Sequence, residues 1–237
     1  MTQLTLIGHL GELRRRLLIC MAALTVGTVV GLANASRLID WLVRPAQPYL
    51  PRLAFFTPTE PLTASLKVAA AFGFVVSLPV WLAQVWAFVQ PGLTPRERRL
   101  GAVFVVGGSV LFLIGALLAY LTLLPWTLRF LLTFGHGTFE PVIAIGTYLS
   151  FVAGLLVGCG AVFELPLAVY LLTRVGLLTH EHLVRWRSPA FIGLLVVAAV
   201  ITPTTDAFTL LAVALPLALL YECSILVAWF AGRRPIG

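Results

Sequence analysis

Two acids, Glu12 and Glu97, lie among arginines in a chain that is otherwise largely apolar. A carboxylate can bind a guanidinium group through two parallel hydrogen bonds. Each acid also has a structural interpretation. Glu12 precedes Arg15 and Arg16 by three and four residues and could pair with them along a helix. Glu97 could cap the start of a helix.

Glu97 lies in a short polar break between two long uncharged runs. The runs cover residues 68–95 and 100–128, and each is long enough to cross a bilayer. A break this short predicts a hairpin of two neighbouring helices. With Glu97, Thr94 and Pro95 match a capping box that has a proline at the first helical position, which favours the start of the second helix at this point.

A third acid, Glu164, is predicted to lie inside a membrane-spanning helix. It precedes Thr173, the end of its apolar run, by nine residues, which places it roughly 14 Å inside the span at 1.5 Å per residue. An acidic side chain at such a depth costs about 2.5 to 3.5 kcal/mol on insertion scales. We therefore expect it to face a groove, a partner helix or water. The alternative is a hydrogen bond to a neighbouring helix of the same chain.

The composition indicates a membrane protein with several spans. Hydrophobic residues make up 60% of the 237 residues and charged residues 11%, and the mean hydropathy is +1.01. A soluble domain of this length would need far more charge on its surface. The net charge of +7 is carried by bases that flank the apolar runs. That placement indicates membrane orientation and excludes nucleic acid as the partner.

The histidines do not form a recognisable catalytic or metal-binding set. His180 and His182 are two residues apart, so they do not share a helix face, and Thr179 beside them looks like a helix N-cap. An intramembrane protease would need a catalytic set within the spans, yet all the histidines lie outside them. We therefore predict no enzyme, no metal site and no cofactor. The four histidines are His9, His136, His180 and His182.

The uncharged runs predict an all-α, polytopic membrane protein with six transmembrane helices in a single domain, residues 1–237. The C-terminal spans are expected to be short. The first run follows three arginines and mimics a cleavable signal, but its length and the even number of spans favour a retained helix. The predicted spans cover about residues 15–36, 67–90, 97–125, 147–173, 188–203 and 207–231.

The lysines and arginines are distributed unequally between alternate loops. The N-terminal segment, the loops at 96–99 and 174–187 and the C-terminal tail carry three, three, three and two of them. The intervening loops carry four, one and none, and those four are spread over a long cap, residues 37–67. Because basic loops remain cytoplasmic, we expect both termini on the cytoplasmic side, together with Glu12 and Glu97.

Five motifs in the chain resemble those of the TatC family, the multispanning receptor subunits of the twin-arginine protein translocase. The resemblance covers most of the chain and is specific. The motifs are His9-Leu-Gly-Glu-Leu-Arg-Arg-Arg-Leu17, Phe56-Thr-Pro-Thr-Glu-Pro-Leu62, Gln84-Val-Trp-Ala-Phe88 with Pro91-Gly-Leu-Thr-Pro-Arg-Glu-Arg98, Phe163-Glu-Leu-Pro166 and Thr202-Pro-Thr-Thr-Asp206.

The resemblance implies a glove-shaped bundle of six helices in the cytoplasmic (inner) membrane. Such a protein binds the twin-arginine signal peptides of folded precursors at its cytoplasmic face. It recruits small single-span subunits of the TatA/TatB type and forms homo- and hetero-oligomers in the lipid bilayer. Because the sequence shows no nucleotide-binding motif, an external energy source is expected, and the resemblance implies that this is the proton motive force.

Carried over by motif, the resemblance makes Glu12 and Glu97 the pair of acids that binds the two arginines of the signal peptide. It places Arg14, Phe88 and Arg98 beside them. The physical chemistry agrees with that role, because the planar fork of arginine suits a carboxylate better than a compact ammonium group does. Peptides with a lysine pair should therefore bind less well.

The remaining positions carried over lie deeper in the membrane or at its outer side. Glu164 matches an intramembrane acid implicated in partner contact, and Pro45 and Asp206 match positions on or near the outer side. An ion- or solute-coupled transporter is the alternative function, since intramembrane acids such as Glu164 and Glu222 often mark ion paths. Such a transporter would be expected to have repeated halves, and the sequence shows no repeat.

Overall fold

The computed structural model of the chain describes residues 6–49, 53–90, 94–95, 97–133, 142–202 and 207–232. These residues are almost entirely helical. The one extended pairing within them is a single-residue bridge between Ala54 and Ala144. The prediction of an all-α protein is confirmed.

Five helical segments in these ranges are long and apolar enough to cross a membrane, and a sixth is shorter. The predicted set of six helices is confirmed, and the fifth is short as expected, whereas the sixth has 26 residues and is one of the long segments. The helices are α1 (Leu6–Ala33), α2 (Ala35–Val43), α3 (Glu60–Val89), α4 (Gly101–Leu118), α5 (Leu124–Thr133), α6 (Ile145–Phe163), α7 (Leu165–Arg174), α8 (His180–Arg185), α9 (Arg187–Ile201) and α10 (Ala207–Gly232).

Two of the long segments are interrupted rather than regular. Helix α4 continues into α5 through a π-helical turn, Ala119–Leu123, which directly precedes Pro125. Proline cannot donate to the carbonyl four residues back, and the wider π turn accommodates its ring. Helix α6 continues into α7 past Glu164, where Pro166 removes another helical hydrogen bond. Each interruption therefore coincides with a proline.

Helices α1 and α3 pack with their backbones in direct contact. A methyl group added at Gly73 would lie 2.5 Å from the backbone nitrogen of Thr28, and one added at Gly27 would lie 2.8 Å from the carbonyl oxygen of Gly73. Membrane helices associate by close approach of this kind. Lipid tails are as apolar as leucine, so close packing at small residues, and not hydrophobicity, favours contact between two helices. These glycines fix α1, which carries Glu12, against α3.

The Glu60 carboxylate at the start of α3 joins the loop before α3 to the start of α6. One of its oxygens accepts a hydrogen bond from the backbone N–H of Phe56 and the other from that of Gly146, both at 2.9 Å. Around Ala54, two backbone hydrogen bonds of 3.1 and 2.8 Å join the same two loops. Because Gly146 lies in the first turn of α6, Glu60 joins the starts of two spans.

Two tyrosines bind the C-terminal end of α2. Tyr120 donates to the carbonyl of Trp41 at 2.7 Å and stacks on its ring at 4.1 Å. Tyr148 donates to the carbonyl of Leu42 at 2.8 Å. The last carbonyls of a helix lack partners within the helix, so these bonds satisfy groups that would otherwise be unpaired. The 3₁₀ turn that contains Pro45 follows immediately.

Candidate functional site

Glu12 lies on α1 and forms an ion pair with Arg16, one helical turn further along. Arg16 Nε donates to Glu12 Oε1 at 3.1 Å, and Arg16 Nη2 donates to the same oxygen. The two side chains remain 26% and 20% exposed. The structural interpretation of Glu12 as one half of a pair within its helix is therefore correct, and the pair leaves the carboxylate accessible.

The same carboxylate lines a cleft between α1 and α3. The cleft has a volume of about 260 Å³, and its walls include Arg15 and Ile19 of α1 and Gln84 of α3. Arg14 is exposed, but two residues beyond Glu12 its side chain points to another side of the helix. Sequence reasoning did not select Gln84 as a site residue. The sequence signal that could have indicated Gln84 is its polar amide near the end of an otherwise uncharged, apolar span.

Glu97 begins a 3₁₀ turn, Glu97–Leu100, that leads directly into α4. The backbone N–H of Arg98 donates to the carbonyl of Thr94 at 3.1 Å, so helical hydrogen bonding starts at Thr94. The side chain of Glu97 lies outside the described residues. Its pairing with Glu12 therefore stays a prediction.

An aromatic contact holds the end of α3 against the start of α4. The Trp86 indole lies over Gly101, where an added methyl group would come within 2.3 Å of Nε1. Trp86 also packs on Phe104, with ring centroids 5.4 Å apart. Nearby, Phe88 is half-buried and Arg98 is exposed. The absence of a side chain at Gly101 thus leaves room for the Trp86 indole where the turn containing Glu97 passes into α4.

An apolar groove lies between α3, α4 and α7. Its volume is about 400 Å³, and it is open on one side. Glu164 is not one of the lining residues, but it precedes one of them, Ala168, by one helical turn. The lining residues are Val85, Trp86, Val89, Phe104, Ala168, Leu171, Leu172, Val175 and Leu177.

The Glu164 carboxyl group packs against a glycine of α4. A methyl group added at Gly108 would lie 2.8 Å from Glu164 Oε2 and 2.7 Å from Leu82 Cδ1. Glu164 Oε1 is buried, and no group in the described part of the chain hydrogen-bonds to it. A buried acceptor without a donor is costly. The alternative of an internal hydrogen bond is therefore not observed at this oxygen.

The resemblance places two residues, Pro45 and Asp206, on or near the outer side of the membrane. Pro45 is half-buried in its 3₁₀ turn after α2, whereas Asp206 lies outside the described residues. Their location on the outer side of the membrane stays a prediction. Among the side chains that the structure describes, no group of three His, Cys, Asp or Glu residues is close enough to hold a metal ion.

The chain is similar along most of its length to proteins of one family. The family model described as Sec-independent protein translocase protein (TatC) matches residues 8–216. The protein of that name from Carboxydothermus hydrogenoformans is 36% identical over 227 residues, which cover 96% of this chain and 93% of the relative. The one from Aquifex aeolicus is 36% identical, with 95% of each chain covered.

A solved structure with the same architecture matches the fold. The crystal structure of the twin arginine translocase receptor TatC superimposes with a TM-score of 0.86 at 36% sequence identity. The match covers 94% of this chain and 99% of that chain. A second crystal structure of that receptor, in a detergent, gives a TM-score of 0.85.

Proposed function

The chain belongs to the TatC family of Sec-independent protein translocase proteins, and from that premise we propose that it is a receptor for twin-arginine signal peptides. As a member of this family it is a multi-pass membrane protein and a non-enzymatic component of protein transport. In the proposed function it binds the signal peptides of folded precursors at its cytoplasmic face. It also recruits single-span TatA/TatB-type subunits, and the proton motive force drives export.

The observation that carries this proposal is the accessible carboxylate of Glu12 in the cleft beside Gln84. A guanidinium group binds a carboxylate through charge-assisted hydrogen bonds, which are about twice as strong as neutral ones. Glu12 would receive one arginine of the pair and Glu97 the other. Arg14, Phe88 and Arg98 are proposed to contact the residues that flank the two arginines.

The proposed orientation places both termini on the cytoplasmic side of the inner membrane. The distribution of lysine and arginine between alternate loops supports it. The exposed Trp126 lies in α5, in the last third of its apolar helical segment, and the exposed Trp186 directly precedes α9. Tryptophan is enriched at both membrane interfaces. In this orientation Glu12 and the turn at Glu97 face the compartment in which precursors are made.

We expect the affinity for a synthetic twin-arginine signal peptide to fall as salt is raised until the Debye length is about 8 Å or less. The reason is that exposed charges contribute to binding, and dissolved ions screen them. A twin-lysine peptide should lose affinity more steeply, since it lacks the bidentate hydrogen bonds. Fluorescence anisotropy with the purified protein in nanodiscs measures both. Affinity that does not change with salt would instead make insertion of the apolar part of the peptide the main contribution.

We expect Glu164→Ala to weaken crosslinking to a single-span partner while signal-peptide affinity is unchanged. Glu164 is half-buried, and one of its carboxyl oxygens has no donor among the described groups of this chain. The substitution removes this carboxyl group, so a polar donor on the partner helix would lose its bond. Site-specific photocrosslinking from residues that line the groove between α3, α4 and α7 measures the effect.

The matched control for Glu164→Ala is Glu222→Ala. Glu222 is also an acid on an apolar span, but its carboxylate already binds Arg187 Nη2 at 2.7 Å. Partner crosslinking should therefore persist in the control. If Glu164→Ala crosslinks normally but misfolds in detergent, Glu164 has an internal structural role.

A further inference from the structure

Two nitrogens of the Arg16 side chain bind a single oxygen of Glu12. Nε and Nη2 both donate to Oε1. A carboxylate oxygen has two lone pairs, so Oε1 has no further acceptor site. An arriving guanidinium group binds best when its two parallel N–H groups meet the two oxygens of one carboxylate. In the observed geometry, Arg16 blocks that arrangement.

We propose that Arg16 is an internal competitor for the Glu12 carboxylate and thereby limits how tightly an arginine of the signal peptide binds. The inference rests on the proposed function of Glu12 as an arginine-binding residue. It makes Arg16 a specificity-determining residue. A guanidinium can use both carboxylate oxygens once Arg16 has left, whereas an ammonium group bonds to one oxygen at a time. Displacement of Arg16 therefore favours arginine over lysine.

The cleft offers the displaced side chain an alternative acceptor. Gln84 lines the cleft from α3 together with Glu12 and Arg16, and its amide oxygen can accept a hydrogen bond. Arg16 is 20% exposed, so solvent reaches it as well. The pair is an i, i+4 pair on one helix, a class that is weak enough for a ligand to break. The competition is thus reversible, as a receptor that must release its ligand requires.

Arg15 provides a matched control for charge. It lies next to Arg16 on the same helix and lines the same cleft, but Arg16 is the residue whose hydrogen bonds to Glu12 are observed. Replacing either arginine with methionine removes one positive charge at nearly the same place. Each change lowers the long-range repulsion of a basic peptide to a similar extent. A difference between the two variants therefore reports the contact with Glu12.

The test compares the affinities of wild type, Arg16→Met and Arg15→Met for a twin-arginine peptide and its twin-lysine counterpart. We expect Arg16→Met to bind the twin-arginine peptide about two- to fivefold more tightly than Arg15→Met, the worth of an exposed pair. The gain for the twin-lysine peptide should be smaller. Arg16→Lys, which keeps the charge and removes the fork, should show a smaller gain in the same direction. Equal affinities, or weaker binding by Arg16→Met, would overturn the proposal.

Glu12→Gln separates this inference from the function on which it rests. If Glu12→Gln leaves twin-arginine binding unchanged, Glu12 does not bind arginine, and both proposals fail. If Glu12→Gln weakens binding while Arg16→Met behaves as Arg15→Met does, the receptor function stands and the competition fails. Combining the changes gives a further check. In a Glu12→Gln background, Arg16→Met should lose its advantage over Arg15→Met, because no carboxylate is left for which Arg16 can compete.

Discussion

Glu97→Gln is expected to fold and insert normally while twin-arginine peptides bind it about tenfold or more weakly, the worth of a hydrogen bond to a charged group. Glutamine at the third position of a capping box can still reach back to the N-cap amide. The variant thus keeps most of the cap, whose complete loss costs about 1 kcal/mol. It lacks the charge that would meet arginine. Peptide affinity and thermal unfolding in detergent, measured on the same preparation, separate the two effects.

Two further variants define the limits of this prediction. Glu97→Lys should bind more weakly still, because it adds repulsion between like charges. Thr94→Ala should lower stability slightly and leave peptide affinity nearly unchanged, since the observed bond from Arg98 to Thr94 uses the backbone carbonyl. Export at the wild-type rate by the Glu97→Gln protein would leave Glu97 as a helix cap. The arginine-binding role would then fall to Glu12 alone.

Gly73→Ala is expected to destabilise the protein by about 1–3 kcal/mol, the usual cost of overpacking. The added methyl group would lie 2.5 Å from the backbone nitrogen of Thr28 and 2.6 Å from its hydroxyl oxygen. A backbone atom cannot turn aside as a side chain can, so α1 must move away from α3. Glu12 lies on α1 and Gln84 on α3, and the movement should therefore also widen the cleft and weaken peptide binding.

Gly107→Ala is the matched control for Gly73→Ala. Its added methyl group would meet only Leu167 side-chain atoms, at 3.8 and 4.0 Å, which is ordinary contact. Alanine favours helix over glycine by about 1 kcal/mol, so this variant should be as stable as wild type or more so. Thermal unfolding in detergent compares the two. Equal stability of both variants would show that α1 and α3 do not depend on this close contact.

Much of the architecture follows from the sequence, because the membrane imposes simple length and charge rules. A run of about 20 uncharged residues has to satisfy its backbone groups within a helix, and bases have to lie outside the hydrocarbon. The six helices, the short helix α9 and the interruption at Glu164 and Pro166 could be predicted for these reasons. The local alternatives for Glu12 were also visible, since three and four residues along a helix bring side chains together.

The choice between those alternatives could not be predicted from the sequence. Arg15 and Arg16 are both within reach of Glu12 by spacing, and the observed hydrogen bonds come from Arg16. The cleft residue Gln84 and the contact of Trp86 with Gly101 were not predicted either. They join segments that are distant in sequence. Spacing along one helix carries no information about which part of another helix lies opposite.

The packing faces of the spans depended on tertiary structure for a further physical reason. In a soluble protein, an apolar stripe marks the side of a helix that faces the core. In a membrane, the lipid and the protein interior are both apolar, so Val and Leu occur on every face of a helix. Hydrophobicity therefore does not distinguish the face that contacts lipid from the face that contacts another helix. Close contacts show which faces pack together: Gly73 lies against the backbone of α1, and Gly108 lies against the side chain of Glu164. The sequence therefore determined the number of membrane-spanning helices and their approximate positions along the chain, whereas three-dimensional packing alone decided which residues meet in the candidate site.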